Sequence, residues 1–473
     1  MRKNLQISLF DIYNGISTSI EEKKPELISL LDDNIDFNSL ISYQFYNAFY
    51  SYFGRKHKYH LISFIKALIL SKLLGFSDSQ LITVLKCSSE LRDFCQFDKV
   101  PDASYFSRFK QRFCSYLAVM FEALVDITEP ICREINEKKA DYLIYDTTGI
   151  ELNVAENNPK FFNSKLKQAK AISKGTDYNP YVGVYKLLPE CSVSNSSAKQ
   201  QYINGHYCYA LKIGILTNGL GIIRNISFFD DDFKNVHPDI VTHKTDNPGM
   251  DKEIGDSVSL KPVLSDFFIK HKHLSYKTFI GDSSFDKYDN YTMLKNDFFF
   301  SRMCIPLNRR NNKASNTEFD EFGTPICPLD KTPFTFLGKS GGKNRSLRFK
   351  WVCHKSIRQR NKRICICKTP CTSSNYGKCT YTYPDKNIRL YPGIPRNTEH
   401  WNNLYKHRVV IERTINLIKD CFGIGSLKTH NTKTVKADLY LAGITQLVGV
   451  LLAKALQKPN LFKSVRKLIS KVS

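Results

Sequence analysis

The spacing of hydrophobic positions changes twice along this chain. Up to about residue 138 apolar residues recur at helical intervals. HLISFIKALILSKLLGFSDSQLITVL predicts one helix stopped at Gly75 and a second begun by Ser77, with Gln80 three residues on in a capping-box arrangement. From about residue 140 the period shortens to two. ADYLIYDTTGIEL predicts a strand that brings Asp146 to or near its end, and HYCYALKIGILTNGLGIIRNISFFDD predicts a hairpin turning around Asn218 and Gly219. Together these give a three-stranded antiparallel start. Thr278 to Gly281 form a short strand leading to Asp282, Ser283, Ser284 and Asp286 open a helix, and FFFSRMCIPL is a further strand.

Helical spacing returns in WNNLYKHRVVIERTINLIKD. Tyr405, Arg408, Glu412 and Lys419 lie at offsets of 3, 7 and 14 from the first. At about 100° per residue they share a sector of about 60°. Leu404, Val410, Ile411, Ile415, Leu417, Ile418 and Phe422 fill the roughly opposite sector, as on an amphipathic helix seated on a core. A carboxylate that can hold a hard cation, with a guanidinium one turn away and an ammonium two turns on, suits a metal bound against phosphate oxygens. The plainer reading is a surface helix with an i,i+4 Arg408–Glu412 pair. Asp146 and Asp282, each delivered by a strand, complete a plausible metal-binding triad with Glu412.

These residues resemble the DDE transposases of bacterial insertion sequences, in the group whose third acidic residue lies in a Tyr-x2-Arg-x3-Glu-x6-Lys signature. The resemblance covers YDTTGIE around Asp146, IGDSSFD around Asp282 and the full signature Tyr405, Arg408, Glu412 and Lys419; it extends weakly to VPDASYFSRFKQRF. Segments 155–200 and 310–395 match no such pattern. The resemblance implies an α/β, ribonuclease H-like catalytic core. It implies that Asp146, Asp282 and Glu412 hold Mg²⁺ or Mn²⁺, as two ions, to activate water or a DNA 3′-hydroxyl and to stabilise the leaving oxygen. Arg408 and Lys419 would position phosphates and Tyr405 would orient the flanking strand. The implied partners are double-stranded DNA, as element ends and target, and a second copy of the chain on paired ends.

Charge agrees with a polyanionic partner. The 473 residues carry 69 Lys and Arg against 45 Asp and Glu, a formal charge of +24, which attracts nucleic acid in a salt-dependent way. No lipidation signal or cleavable leader is visible at MRKNLQISLF, so a cytoplasmic, nucleoid-associated protein is expected. LYLAGITQLVGVLLAKAL is interrupted by Thr445, Gln446 and Lys454 and is read as a buried packing helix, not a membrane span.

The expected organisation is a helical DNA-binding region over 1–138, the first part of the core over 139–310, an inserted subdomain over 311–396 and the C-terminal core helices over 397–473. The insertion follows from the roughly 90 residues between FFFSRMCIPL and the Glu412 helix, too many for a loop. Residues 339–363 hold ten Lys or Arg with Phe349 and Trp351 interleaved, a mixture suited to phosphate contact and base stacking. Cys304, Cys327, Cys353, Cys365, Cys367, Cys371 and Cys379 crowd into or beside it. Cys327, Cys353, Cys371 and Cys379 are the candidate ligands of a structural Zn²⁺, with reduced thiols as the alternative.

Other features take plainer readings. The first two helices could read DNA as a helix-turn-helix, but such pairs more often simply pack. The run Asp230, Asp231 and Asp232 is expected in a solvated turn, and Asp286, Glu151 and His237 are left outside the site. Two rival functions remain: a nuclease that cuts without joining, and a catalytically silent DNA-binding descendant. A tyrosine recombinase fits poorly, because Tyr405 lies inside an acidic signature.

Overall fold

A computed structural model describes residues 8, 10, 26–50, 57–175, 177–203, 206–242, 253–308, 318–342, 345–396 and 398–462. Its centre is a mixed sheet. Strand β1 (Tyr142–Glu151) and strands β2 (Cys191–Ser192), β3 (Asn195–Ile203), β4 (His206–Asn218), β5 (Ile223–Phe228), β6 (Thr278–Ile280) and β7 (Arg302–Cys304) form it in chain order. β4 runs antiparallel to β1 on one side and to β5 on the other, while β6 is parallel to β1 and β7 parallel to β6. β3 pairs with the His206–Ala210 half of β4 and β5 with the Ile213–Thr217 half, so they share one edge of that strand.

Strand alternation assigns the two faces. Tyr145 on one face meets Ser259 of helix Asp256–Lys270, hydroxyl to hydroxyl at 2.8 Å. A side chain at Gly214 would collide with the Tyr145 ring and hydroxyl, so this crossing requires glycine. Tyr142 on the other face meets the His407 ring at 5.3 Å. The sheet is thus covered on both sides, as its parallel half requires.

The N-terminal helices and the sheet share one hydrophobic core. Helix Leu61–Leu74 ends at Gly75 with φ of 70°, and Ser77 and Gln80 form the expected capping box of helix Asp78–Cys87. The first of this pair is buried on nearly every side, which is packing rather than display. Helix Thr432–Ala455 is long and apolar enough to cross a membrane by composition, yet it is buried against helix Ala103–Ala140. Asp438, on its buried length, pairs with Lys72 at 2.8 Å and Lys110 at 3.0 Å, and Lys110 also reaches Asp78 at 2.8 Å.

Four expectations need correcting. β1 does not end at Asp146; it continues to Glu151 because Thr147 to Glu151 stay paired with β4 after β6 has left the sheet. The 401–420 helix is not uniform: helix Glu399–Tyr405, a 3₁₀ turn Lys406–Arg408, helix Val409–Asn416 and a π turn Leu417–Cys421 follow one another. Phe349 and Trp351 are buried, with Trp351 Nε1 donating to Thr382 Oγ1 at 2.9 Å, so they are core residues and not a stacking surface. Asp230 is buried rather than solvated: it caps helix Asp231–Val236 and pairs with Lys436.

The insertion has its own architecture. β8 (Thr335–Gly342), β9 (Arg345–Val352) and β12 (Cys379–Thr382) form an antiparallel sheet in the order β12-β9-β8, and β10 (Ser356–Gln359) pairs with β11 (Lys362–Cys365). Cys327, Phe334, Phe349, Trp351, Cys353 and Tyr391 make a second, small core. Segment 155–190 supplies helices Pro159–Ile172 and Pro180–Leu187, each started by an Asn cap and a Pro in its first turn.

Candidate active site

Parallel pairing brings the first two carboxylates together. Ile144 of β1 is in register with Ile280 of β6, and Asp146 and Asp282 each follow two residues later. At that point β6 peels away and β1 continues. Asp282 turns into a cap, accepting a hydrogen bond from the Ser284 N–H at 2.8 Å and one from the Ser284 hydroxyl. The alternation that aims Tyr142 at the C-terminal segment aims Asp146 and Thr148 there too.

The C-terminal segment answers each of them. Arg408 Nη2 lies 3.3 Å from Asp146 Oδ2, and its Nη1 pairs with Glu412 one turn on. Lys419 Nζ donates to Thr148 Oγ1 at 2.7 Å. Lys419 belongs to the π turn, the wider turn often found at functional positions. Tyr405 stacks on Trp401, with ring centroids 5.1 Å apart and planes 17° from parallel. Arg408, Asp282 and Glu412 all lie within electrostatic reach of the Tyr405 hydroxyl. Tyr405, Arg408, Asp282 and Glu412 therefore gather about Asp146, and Lys419 meets β1 two residues further on, at Thr148.

Electrostatics sharpen the picture. Burial pushes the Asp146 carboxyl up to about 6; Arg408 and the Thr147 N–H oppose this, and the nearby Asp282 and Asp256 add to it. Burial lowers the Lys419 ammonium, and burial raises the Tyr405 phenol, with Asp282 and Glu412 adding. Glu412 remains half exposed, so the cluster opens to solvent on the helix side.

The carboxylates outside the cluster have other partners. Asp286 is buried and held by Arg389 at 2.6 and 3.0 Å and by the Tyr291 hydroxyl at 2.9 Å. Arg389 and Arg396 anchor the end of the insertion to the core in this way, since Arg396 also reaches the Tyr291 hydroxyl at 2.7 Å. Asp256 lies on the opposite face of the sheet, bound to Thr147 and Lys212, each at 2.6 Å. Glu151 meets His206 at 3.3 Å, and these two with Cys208 bring one ligand atom each within 4.8 Å. Alternation places that trio on the face away from Asp146. Trp401 was missed by the sequence reading, although its i,i+4 spacing to Tyr405 was the signal that could have found it.

The cysteines divide. The Cys353 thiol lies 3.9 Å from His354 Nδ1, and burial raises its pKa, with Cys327 and Cys371 adding to the rise. Cys379 pairs with Val352, so alternation turns its side chain to the sheet face opposite Cys353.

Residues 18–112 match the family model described as Transposase domain (DUF772). That match supports a transposase role, and it lies in the N-terminal helices, before the first carboxylate. No curated protein matches the chain.

Proposed function

We propose that this protein is a DDE transposase of an insertion sequence, in the group carrying the Tyr-Arg-Glu-Lys signature, which binds the ends of its element and carries out metal-dependent DNA cleavage and strand transfer. The observation that carries this reading is the convergence of Asp146, Asp282 and Glu412 on Arg408 from segments more than a hundred residues apart. The sheet order β5-β4-β1-β6-β7, with β4 antiparallel to its neighbours β5 and β1 and with β6 and β7 parallel to β1, supports a ribonuclease H-like core.

The donor set fits divalent cations. Three carboxylates from a strand, a strand end and a helix share one cluster, and a partly buried Asp146 beside Asp282 is a carboxylate that a hard cation would stabilise in its charged form. Asp146, Asp282 and Glu412 would hold Mg²⁺ or Mn²⁺, two ions, which when bound supply an activated oxygen nucleophile and neutralise developing charge. Arg408 and Lys419 present their cationic groups on the same side and position phosphate oxygens. Tyr405, backed by Trp401, orients the strand beside the scissile bond through its ring or hydroxyl. Asp146 must lose its proton before it can hold a cation, so affinity for Mg²⁺ rises as pH rises through about 6.

The partners follow from this reading: double-stranded DNA as element ends and target, and a homodimer on paired ends in the cytoplasm at the nucleoid. The basic, exposed β10–β11 hairpin with Arg358, Arg360 and Lys362 is the insertion's surface for phosphate contact. The deciding experiment is Mg²⁺-dependent cleavage and joining on duplexes carrying the DNA that flanks the reading frame, with Asp282→Ala as control. End cleavage with joining, lost in Asp282→Ala, is expected. Cleavage without joining would assign the protein to the nucleases, and binding without either reaction would make it a silent descendant.

A further inference from the structure

We propose that Glu151, His206 and Cys208 hold a zinc ion at the far end of strand β1. The register puts them on one face. Glu151 lies opposite Ala210 of β4, and Cys208 and His206 precede Ala210 at steps of two along that strand, so all three side chains leave the sheet on the same side. His206 Nε2 is 3.3 Å from Glu151 Oε2, and one ligand atom from each of the three lies within 4.8 Å of the other two. Tetrahedral zinc, with about 2.0–2.2 Å to nitrogen and oxygen and about 2.3 Å to sulfur, sets its ligands roughly 3.3–3.7 Å apart. The Glu151–His206 spacing already meets that value. Those two side chains are 44% and 54% exposed, so they are free to rotate toward the sulfur and close the rest.

The strands are arranged to hold this end. β6 leaves the sheet after Ile280, so the stretch of β1 from Thr147 to Glu151 is paired with β4 alone. β3 closes over it: a side chain at Gly149 would collide with the Ile203 side chain and crowd the Gln201 amide oxygen. Gln201, opposite Cys208, donates from its amide to the Ala210 carbonyl at 2.9 Å, which pins β4 beside the thiol. Cys208 is buried while Glu151 and His206 face solvent. That division gives one anchored sulfur and leaves a fourth position open to water.

The donor set selects the ion. A thiolate, an imidazole and a carboxylate suit zinc, whereas Mg²⁺ and Ca²⁺ take oxygen ligands. Burial and the Glu151 charge push the Cys208 thiol up to about 12, which makes it a poor nucleophile by itself; a metal displaces the proton on binding. Zinc here would tie β1 to β4 beyond the last β6 pairing. The same stretch carries Thr148, the acceptor of Lys419 Nζ on the opposite face, so the ion braces the strand against which Lys419 rests.

The test is equilibrium dialysis of the metal-stripped full-length protein against zinc, with bound metal read by elemental analysis. Glu151→Ala, His206→Ala and Cys208→Ser should each bind about one equivalent less than the parent. The first two change exposed side chains and should fold as the parent does. The same deficit is expected when His206→Ala is combined with Cys371→Ser, which removes an exposed thiol of the insertion, or with Asp282→Ala, which removes a proposed Mg²⁺ ligand. Cobalt substitution adds a second readout: a sulfur-to-metal charge-transfer band that weakens in Cys208→Ser and in His206→Ala. Equal zinc in the parent and His206→Ala, or a deficit that vanishes in the Cys371→Ser or Asp282→Ala background, would overturn the assignment. None of these readouts uses DNA, so the site can fail while the transposase reading stands, and the reverse.

Discussion

The central sheet and the insertion are both β structures, but they are held by different means. The sheet is sandwiched between helices, and Leu143, Ile144, Phe279 and Ile280 are each fully enclosed. The insertion buries Phe349 and Trp351 in a core of six residues and leaves much of β10 and β11 exposed. One region is stabilised by apolar area; the other depends on a few anchors, among them the Arg389–Asp286 pair. On the proposed reading chemistry resides in the first, whose carboxylates need fixed positions, while a surface for a long polyanion tolerates the second.

Four experiments would break or sharpen that contrast. The largest effect is expected from the carboxylates: Asp282→Asn or Glu412→Gln should lower DNA cleavage by about 10³-fold or more, with a double variant little worse than either single. Equal melting temperatures would show that the loss is chemical. Next comes a pair of core truncations, each expected to cost about 3–5 kcal/mol. Phe279→Ala should lower the main denaturation midpoint. Trp351→Ala should instead open the insertion alone, read as proteolytic cleavage between Phe319 and Arg389 with the main transition kept. A single shared transition in both variants would mean that the two regions are one cooperative unit.

A smaller effect is expected at Asp146. Its folded pKa of about 6 exceeds the ordinary carboxylate value, so the folded state binds the proton more tightly than the unfolded chain. Stability contributed by this group is therefore present at low pH and lost as pH rises through about 6. Asp146→Asn should be more stable than the parent by on the order of 2 kcal/mol at pH 8, with the gap closing toward pH 4 in denaturant titrations. The smallest effect is at the insertion surface. Lys362→Gln should reduce the slope of log affinity against log salt by about one and weaken binding only a few-fold.

The sequence made the main sheet readable because Asp146 and Asp282 end or interrupt short apolar runs with a clear period. The four signature residues were readable for the same reason, although the real segment changes from 3₁₀ to α to π along its length. The change of winding still leaves Arg408 facing Asp146 and Lys419 facing Thr148 on β1. In the insertion the same logic failed. Phe349 and Trp351 alternate with Lys and Arg, which looks like a nucleic-acid surface until β8 and β12 are known to flank β9 and bury one of its faces. Helices Pro159–Ile172 and Pro180–Leu187 left only their Asn-Pro starts as signals.

The ion cluster of Lys72, Lys110 and Asp438 bears on how the protein is made. The two lysines leave the ribosome more than three hundred residues before the aspartate that neutralises them, and the helix carrying that aspartate also fills the groove beside Ala103–Ala140. Until it arrives, Lys72 lacks its carboxylate, Lys110 has Asp78 alone, and a long apolar trough lies open, a condition that favours chaperone binding over early folding. A polypeptide released before residue 438 should be cleared by proteolysis.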